Sequence, residues 1–221
     1  MNSRAFKVDK LPSIKRLPAY LHLLHNLASD GEEYVSSNYL AEKMQLQPIL
    51  VRKDLELTRV SGTPRIGYCI SDLIKGIKDF LGWDESVDAF LVGAGCAGSF
   101  ILGNRDLMGV GLKILAAFDK DPRKIGRKIH GVPVFDWPRL RELVSRTRVD
   151  IVILCVPPDE AQKVSDKLVA YGIKGIWNFT PTNLVVPEDV VVQKEDLASG
   201  LAVLSVKLNQ SHSALKEGTF P

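Results

Sequence analysis

The chain has 221 residues, 45% apolar and 25% charged, with a formal net charge of +3. That length holds two small domains or one large one, and the composition is that of an ordinary water-soluble protein. No apolar run approaches the roughly 20 residues of a membrane helix, the N-terminus lacks the apolar core of a secretion signal, and the small charge excess does not by itself announce a nucleic-acid partner. A cytoplasmic protein without a membrane partner is expected. Cys69, Cys96 and Cys155 are scattered, as are the four histidines, so neither a disulfide framework nor a metal site is expected.

After a short basic lead-in, Leu11-Pro12-Ser13 opens a helix with Ile14, Leu17, Leu21, Leu24 and Leu27 at helical spacing, ended by Ser29-Asp30-Gly31. Arg16, His22 and His25 lie away from much of that stripe. Ser36 and Ser37 cap a second helix running to Met44. Pro48, at a first helical position, opens a third helix over about 49–58 that carries Arg52 and Lys53, with Arg59 just beyond it. Residues 61–68 read as a small hairpin bearing Arg65. Three short helices and a hairpin describe a winged helix-turn-helix, whose Arg59 and Arg65 are placed for phosphates or a narrow minor groove. A small dimerisation domain with a solvated basic face gives the same periodicity. A fourth helix, with Ser71 as its N-cap, runs to Phe80 and stops at Gly82, and 83–86 form a linker.

The second half is built around Gly93-Ala94-Gly95-Cys96-Ala97-Gly98. The apolar run Val87–Val92 feeds into this Gly-x-Gly-x-x-Gly, and a helix-compatible segment follows from Ser99. Strand, glycine turn and helix in that order are the context a dinucleotide-binding turn needs. Gly93 permits the sharp turn, Gly95 lets backbone approach a pyrophosphate, and Gly98 lets helix and strand pack closely. The helix N-terminus then offers free N–H groups to the phosphates.

The strand Lys113–Phe118 follows and ends at Asp119, about twenty residues beyond the third glycine, where a carboxylate accepts ribose hydroxyls and repels a 2′-phosphate. This favours NAD(H) over its phosphorylated form, although Lys120 and Arg123 stand nearby. A helix over 136–146, a continuous apolar run over 149–156, a helix over 159–171, a strand over 172–179, a last strand near 190–192 and a helix over 197–208 follow, with a flexible tail over 210–221. Strands alternating with helices make a doubly wound parallel sheet of the Rossmann type. Ligands in such sheets lie beyond the carboxyl ends of the strands, which adds Val156-Pro157 and Asn178-Phe179 to the cofactor residues, near the nicotinamide end.

An oxidoreductase also needs an acid or base beside its substrate. Beyond residue 85 the only histidines are His130 and His212, no Tyr-x-x-x-Lys pair occurs, and no room remains for a substrate domain. The residues favour binding without turnover over a small NAD-dependent oxidoreductase; no catalytic residue is assigned.

The chain resembles the Rex family of redox-sensing transcriptional repressors. In the first half the likeness is carried by Arg16-Leu17-Pro18-Ala19-Tyr20-Leu21, Ser36-Ser37, Val51-Arg52-Lys53-Asp54-Leu55 and Gly67-Tyr68. In the second it is carried by Leu91-Val92-Gly93-Ala94-Gly95, Ala116-Ala117-Phe118-Asp119, Lys124-Ile125-Gly126, Val156-Pro157, Gly172-Ile173-Lys174-Gly175-Ile176, Asn178-Phe179-x-Pro181 and Val186-Pro187-Glu188-Asp189. The resemblance implies a homodimeric, NADH/NAD-responsive repressor of palindromic A·T-rich operators in double-stranded DNA. It implies a winged-helix domain over 1–85 and a Rossmann domain over 86–209 that ends in a helix swapped into the partner. Arg16, Ser36, Ser37, Arg52, Lys53, Arg59 and Arg65 would then face DNA, and His22, Asn104 and Asp196 would occupy the switch positions.

The chain departs from the family pattern at several places. Glu56-Leu57-Thr58-Arg59 replaces a Ser, an aromatic pair and a Gly; Cys96-Ala97-Gly98-Ser99 replaces Asn-Leu-Gly-Arg; His22 replaces an Arg and Asn104 a Tyr. A divergent member is expected, and a regulator or scaffold with altered ligand response or lost DNA binding stands as the alternative.

Overall fold

The computed structural model describes residues 10–84, 86–196 and 198–216. The described residues form two units, one of residues up to Val87 together with Arg105–Lys113, the other of Asp88–Asn104 together with the chain from Ile114 onward.

In the first unit α1 (Leu11–Ser29), α2 (Ser37–Met44), α3 (Pro48–Leu55) and α4 (Ile70–Leu81) surround one apolar core. Of the stripe expected on α1, Leu17, Leu21 and Leu24 are buried, whereas Ile14 and Leu27 are half-buried and Tyr20 takes a fully buried place. Ser36 caps α2 by accepting the Tyr39 N–H at 3.0 Å. Gln45, at φ 53°, ends α2 in the left-handed region and directs the chain to Pro48, the first residue of α3. That helix buries Val51, Asp54 and Leu55, which leaves Ile49, Leu50, Arg52 and Lys53 exposed.

Three local expectations are corrected here. The third helix does not reach Thr58 as one element: α3 stops at Leu55, and Glu56–Thr58 form a 3-10 turn. The Thr58 hydroxyl donates to Leu55 O at 2.6 Å and accepts the Val60 N–H at 3.2 Å, which tightens and redirects the chain. Nor is 61–68 a self-contained hairpin. A single bridge, Thr63 to Gly67, closes a tight loop. The strand β2 (Tyr68–Cys69) then pairs antiparallel with β1 (Tyr34–Val35), a strand the pattern of side chains does not announce. Gly67, at φ 107°, makes the turn, and a Cβ there would stand 2.4 Å from Val35 O. Finally, Ser71 is not the cap of α4. Cys69 occupies that position, and the Ile70 N–H donates to Glu33 O at 2.9 Å, so the backbone before β1 supplies the acceptor. Gly82, at φ 69°, terminates α4 as expected.

The second unit is a seven-stranded sheet. Its strands are β3 (Val87–Val92), β4 (Leu112–Phe118), β5 (Lys128–Ile129), β6 (Val132–Phe135), β7 (Ile151–Leu154), β8 (Gly175–Asn178) and β9 (Val191–Lys194), in the order β5-β6-β4-β3-β7-β8-β9. The pairings β3·β7, β7·β8, β8·β9 and β4·β6 are parallel, and only the short β5 runs antiparallel to β6. The chain leaves β3 for β4 on one side and returns to β7 on the other, so the order reverses beside β3. That switch point is where a doubly wound sheet opens a crevice. Strands buried on both faces read as continuous apolar runs, and Phe90, Phe118, Val152 and Ile176 form the centre of this core.

The helices of this unit are α5 (Cys96–Leu102), α7 (Trp137–Arg146), α8 (Pro158–Ala170) and α9 (Ala198–Lys216), while α6 (Arg105–Gly109) belongs to the first. α5 starts at Cys96 rather than at Ser99, because the Ser99 N–H already donates to Gly95 O at 2.8 Å. α9 runs on through the segment expected to be a flexible tail. No proline or glycine interrupts 201–216, so nothing stops propagation; residues 217–221 lie outside the described part.

One buried charge orders the first unit. The Asp54 side chain on α3 is 1% exposed, and its two oxygens accept Nε and Nη2 of Arg16 on α1, each at 2.6 Å. The Tyr20 hydroxyl adds a third hydrogen bond at 3.0 Å. Burial pushes the Asp54 carboxyl up, but the hydrogen bonds from Arg16, Ser13 and Tyr20 outweigh it and hold the group below its ordinary value. Burial, together with the hydrogen bond to Asp54, pushes the Tyr20 hydroxyl upward. A depressed carboxylate contributes stability that is complete above its unfolded pKa of about 3.9 and is lost as the pH falls through the lower folded value. Asp54→Ala is expected to cost about 2–4 kcal/mol, below the upper range for a fully buried pair because Arg16 stays partly solvated. Urea melts of the variant should also lose part of the parent's fall in stability between pH 5 and pH 3.

Candidate functional site

The glycine turn is clamped from both sides. The Gly93 N–H donates to Phe118 O at 2.8 Å, and the Cys155 N–H donates to Val92 O at 2.8 Å. Gly93 sits at φ 95°, and a Cβ there would stand 2.4 Å from Cys155 O. A Cβ on Gly98 would stand 2.1 Å from Gly93 O. Both glycines are therefore required by close backbone approach. Gly95 differs: a Cβ there would meet nothing within 4 Å, so its backbone faces open space. Ala94 is buried under the turn, while Cys96 and Ala97 are exposed at the start of α5.

Asp119, at the end of β4, is tied into this turn. Its Oδ2 accepts the Ala94 N–H and the Lys124 ammonium, each at 2.9 Å, and its Oδ1 accepts the Asp121 N–H at 2.9 Å. Burial raises the carboxyl, and the bonds from Asp121, Lys124 and Ala94 more than offset it, so the group stays below the usual carboxylate range. A carboxylate offers about four acceptor positions, so this arrangement keeps capacity for a ligand hydroxyl.

A cavity of about 610 Å³ opens beside the turn, lined by Gly93 and Gly95, by Asp119, Lys120, Asp121 and Lys124 of the β4 end, by Cys155, Val156 and Pro157 of the β7 end, and by Trp137, Glu160, Val164 and Lys167. That size lies within the ordinary range of small-molecule sites. Val156 and Pro157 therefore line the same cavity as Asp119. β7 adjoins β3 directly, so its carboxyl end faces the turn. Asn178 and Phe179 do not line this cavity. Asn178 is fully buried, with its Nδ2 donating to Thr182 O and its Oδ1 accepting Thr180 N–H and hydroxyl, which shapes the loop after β8. The Phe179 ring packs 4.9 Å from that of Trp177.

Sequence reasoning missed Trp137, Glu160, Val164 and Lys167, whose helices are brought to the cavity by the sheet order alone. Trp137 follows the β6 end, and its buried Nε1 has no acceptor among the described residues. Only the position of Glu160 in the first turn after Pro157-Pro158 offered a signal.

In the first unit Arg52, Lys53, Arg59 and Arg65 are exposed, and Ser36 and Ser37 stand at the start of α2. Arg59 and Arg65 hold φ of 58° and 69°, a region that favours glycine. Arg16, expected against DNA, is used differently, since its guanidinium grips Asp54 and fixes α3 against α1. His22 is exposed on α1, and Asn104 is half-buried two residues past α5. Asp196 caps α9 by accepting the Ala198 N–H at 2.9 Å.

Among the described residues no helix is long and apolar enough to cross a membrane, and no cluster of metal-ligating side chains occurs.

Two family models match the chain: a putative DNA-binding protein N-terminus over residues 11–56, and a CoA binding domain over residues 84–182. The redox-sensing transcriptional repressor Rex of Treponema denticola is 46% identical over 92% of this chain and 97% of its own length. That of Porphyromonas gingivalis is 43% identical over 87% of this chain and 88% of its own. Among solved structures, RSP, a Rex-family repressor, in complex with β-NAD+ and operator DNA superposes with a TM-score of 0.82 at 34% identity, over 97% of this chain and all of that one. RSP in complex with β-NADH gives 0.83 at 34% identity, over 95% of this chain and 99% of that one. With identities of this size over nearly the whole of both chains, this chain belongs to the Rex family of redox-sensing transcriptional repressors.

Proposed function

We propose that the protein is a DNA-binding repressor that reads the NADH/NAD+ state through its Rossmann unit. The observation that carries this reading is the open, unclashed face of Gly95 beside the Asp119 carboxylate, in a turn otherwise closed by backbone contact. Gly95 and the first N–H groups of α5 would receive the pyrophosphate, and Asp119 the adenosine ribose. Trp137, Val156 and Val164 would enclose the base. When bound, the cofactor supplies the redox state that is read; it is not turned over here. Val156 and Pro157 serve this site, and Asn178 and Phe179 act by shaping the neighbouring loop.

α3 is the recognition helix, with Arg52 and Lys53 toward the major groove, Ser36 and Ser37 at the phosphates and Arg65 at the tip of the wing. Arg59 joins the phosphate contacts. The working unit is a homodimer: Leu201, Leu204 and Leu208 form one stripe of α9 and are all at least 49% exposed, an apolar surface that calls for a partner. A helix swapped between subunits would cover it, and His22, Asn104 and Asp196 would couple the two ligands. The site residues and the compartment, the cytoplasm, are part of this proposal.

Fluorescence anisotropy on a palindromic A·T-rich duplex, run with NAD+, with NADH and without cofactor, tests the reading. Binding that weakens steeply with salt and is released by NADH alone is the expected result; binding indifferent to both cofactors would sink it. At the turn, Gly98→Ala is expected to cost about 1–3 kcal/mol through overpacking. Gly95→Ala should leave the melting temperature in place and lower only NADH affinity, as calorimetry would register. Arg65→Gly should relieve about 1 kcal/mol of left-handed backbone strain while weakening operator binding, so stability and affinity move in opposite directions. Leu204→Asp with Leu208→Asp should convert the dimer to monomer in analytical ultracentrifugation.

A further inference from the structure

Basic side chains after the second strand of a Rossmann unit are the usual means of accepting a ribose 2′-phosphate, and this chain carries Lys120, Arg123 and Lys124 there. Each is already matched by a carboxylate. Arg123 donates to Asp121 through Nη2 at 2.8 Å and Nε at 3.0 Å, and Lys124 donates to Asp119 at 2.9 Å. Those two pairs lie within one loop. The third does not: Lys120, at the β4 end, pairs with Glu160 in the first turn of α8, on the other side of the cavity. Both residues line the cavity. Lys120 is 74% exposed, and pairs of that kind contribute little to stability. The consequence of this one lies in where its charges stand.

We propose that Glu160 is a specificity-determining residue of the cofactor site, acting with Asp119 to select the dinucleotide without a 2′-phosphate; this rests on the dinucleotide reading above. Glu160 does so in two ways. It draws the Lys120 ammonium toward α8, so that the cation least bound to its own loop is not offered to a phosphate. It also places a second carboxylate on the rim, opposite that of Asp119. A 2′-phosphate entering between them meets two negative charges, while Lys120 and Lys124 are each held by a carboxylate and Lys167 stands over the Trp137 ring at 5.7 Å. The alternation of acid and base along 119–124 thus carries no affinity for phosphate as long as Glu160 is in place.

The test is calorimetric titration of the full chain with NADH and with NADPH, for the parent, E160Q, K120A and K120A/E160Q, with melting temperatures recorded for each. Glu160→Gln removes the charge and keeps the shape, and Lys120 is then released. The ratio of NADPH to NADH affinity is expected to rise at least tenfold in E160Q and to fall back toward the parent ratio in K120A/E160Q. A merely structural role for the pair would not produce that reversal, because the double variant lacks the pair as well. A ratio in E160Q within twofold of the parent, or a gain that survives undiminished in the double variant, overturns the proposal while leaving the dinucleotide site intact. A parent chain that binds neither NADH nor NAD+ overturns the dinucleotide reading itself, and the proposal with it.

Discussion

Everything in the cofactor unit depends on how closely the backbone approaches itself at the glycine turn. Gly98 lies against the carbonyl of Gly93, and Gly93 lies against that of Cys155, at separations that leave no space for a Cβ. This contact lets α5 start directly above β3, which in turn points its first N–H groups over the crevice between β3 and β7. The hydrogen bonds from Gly93 to Phe118 and from Cys155 to Val92 register β4 and β7 against the turn. Asp119 completes the knot by accepting the Ala94 N–H. Glycine turn, Asp119 carboxylate and the β7 end are therefore one constellation, and the cavity inherits much of its shape from backbone.

The winged-helix unit solves the equivalent problem with a buried charge. A recognition helix of eight residues has too few turns to be stable by itself, and its outer face is committed to exposed Arg52 and Lys53. What orients it is Asp54, gripped by Arg16 and Tyr20 from α1. A buried ion pair is weak support for net stability, but removing one partner is costly, so the pair penalises any other packing of α3 on α1. The pair serves as the register pin of α3, whose outer face carries Arg52 and Lys53.

Much of this was legible in the sequence. The glycine motif, the acid after the next strand, the proline opening α3 and the serine capping α2 each carry a local physical requirement, and each stands where the pattern places it. What was hidden depended on partners distant in the chain. Ser71 reads as a cap because nothing local says that Glu33 O will already hold the Ile70 N–H. β1 has two residues, too few for any period to show. Arg16 reads as a phosphate contact because its partner, Asp54, lies 38 residues on. Trp137, Val164 and Lys167 went unread as cavity residues because strand order, not strand content, decides which ends face each other. Residues 210–216 read as a tail because they carry no sustained apolar stripe, yet α9 runs on through them to Lys216.

The same residue types are used in opposite ways in the two units. Around the cavity Lys120, Arg123 and Lys124 each have a carboxylate, so the lining is close to neutral. On the recognition helix and wing, Arg52, Lys53, Arg59 and Arg65 stand exposed, and two of them occupy backbone positions where glycine would relax the chain. Arg59 takes that conformation where it ends the 3-10 turn, its N–H donating to Glu56 O at 3.2 Å, and Arg65 holds its charge exposed inside the tight loop that Thr63 and Gly67 close. A polyanionic duplex is bound through charge that salt screens; a dinucleotide in a neutral, backbone-shaped cleft is bound through contacts that salt barely touches. Keeping those two kinds of recognition in separate units lets the level of a small cofactor govern DNA binding without the DNA face itself having to recognise the cofactor.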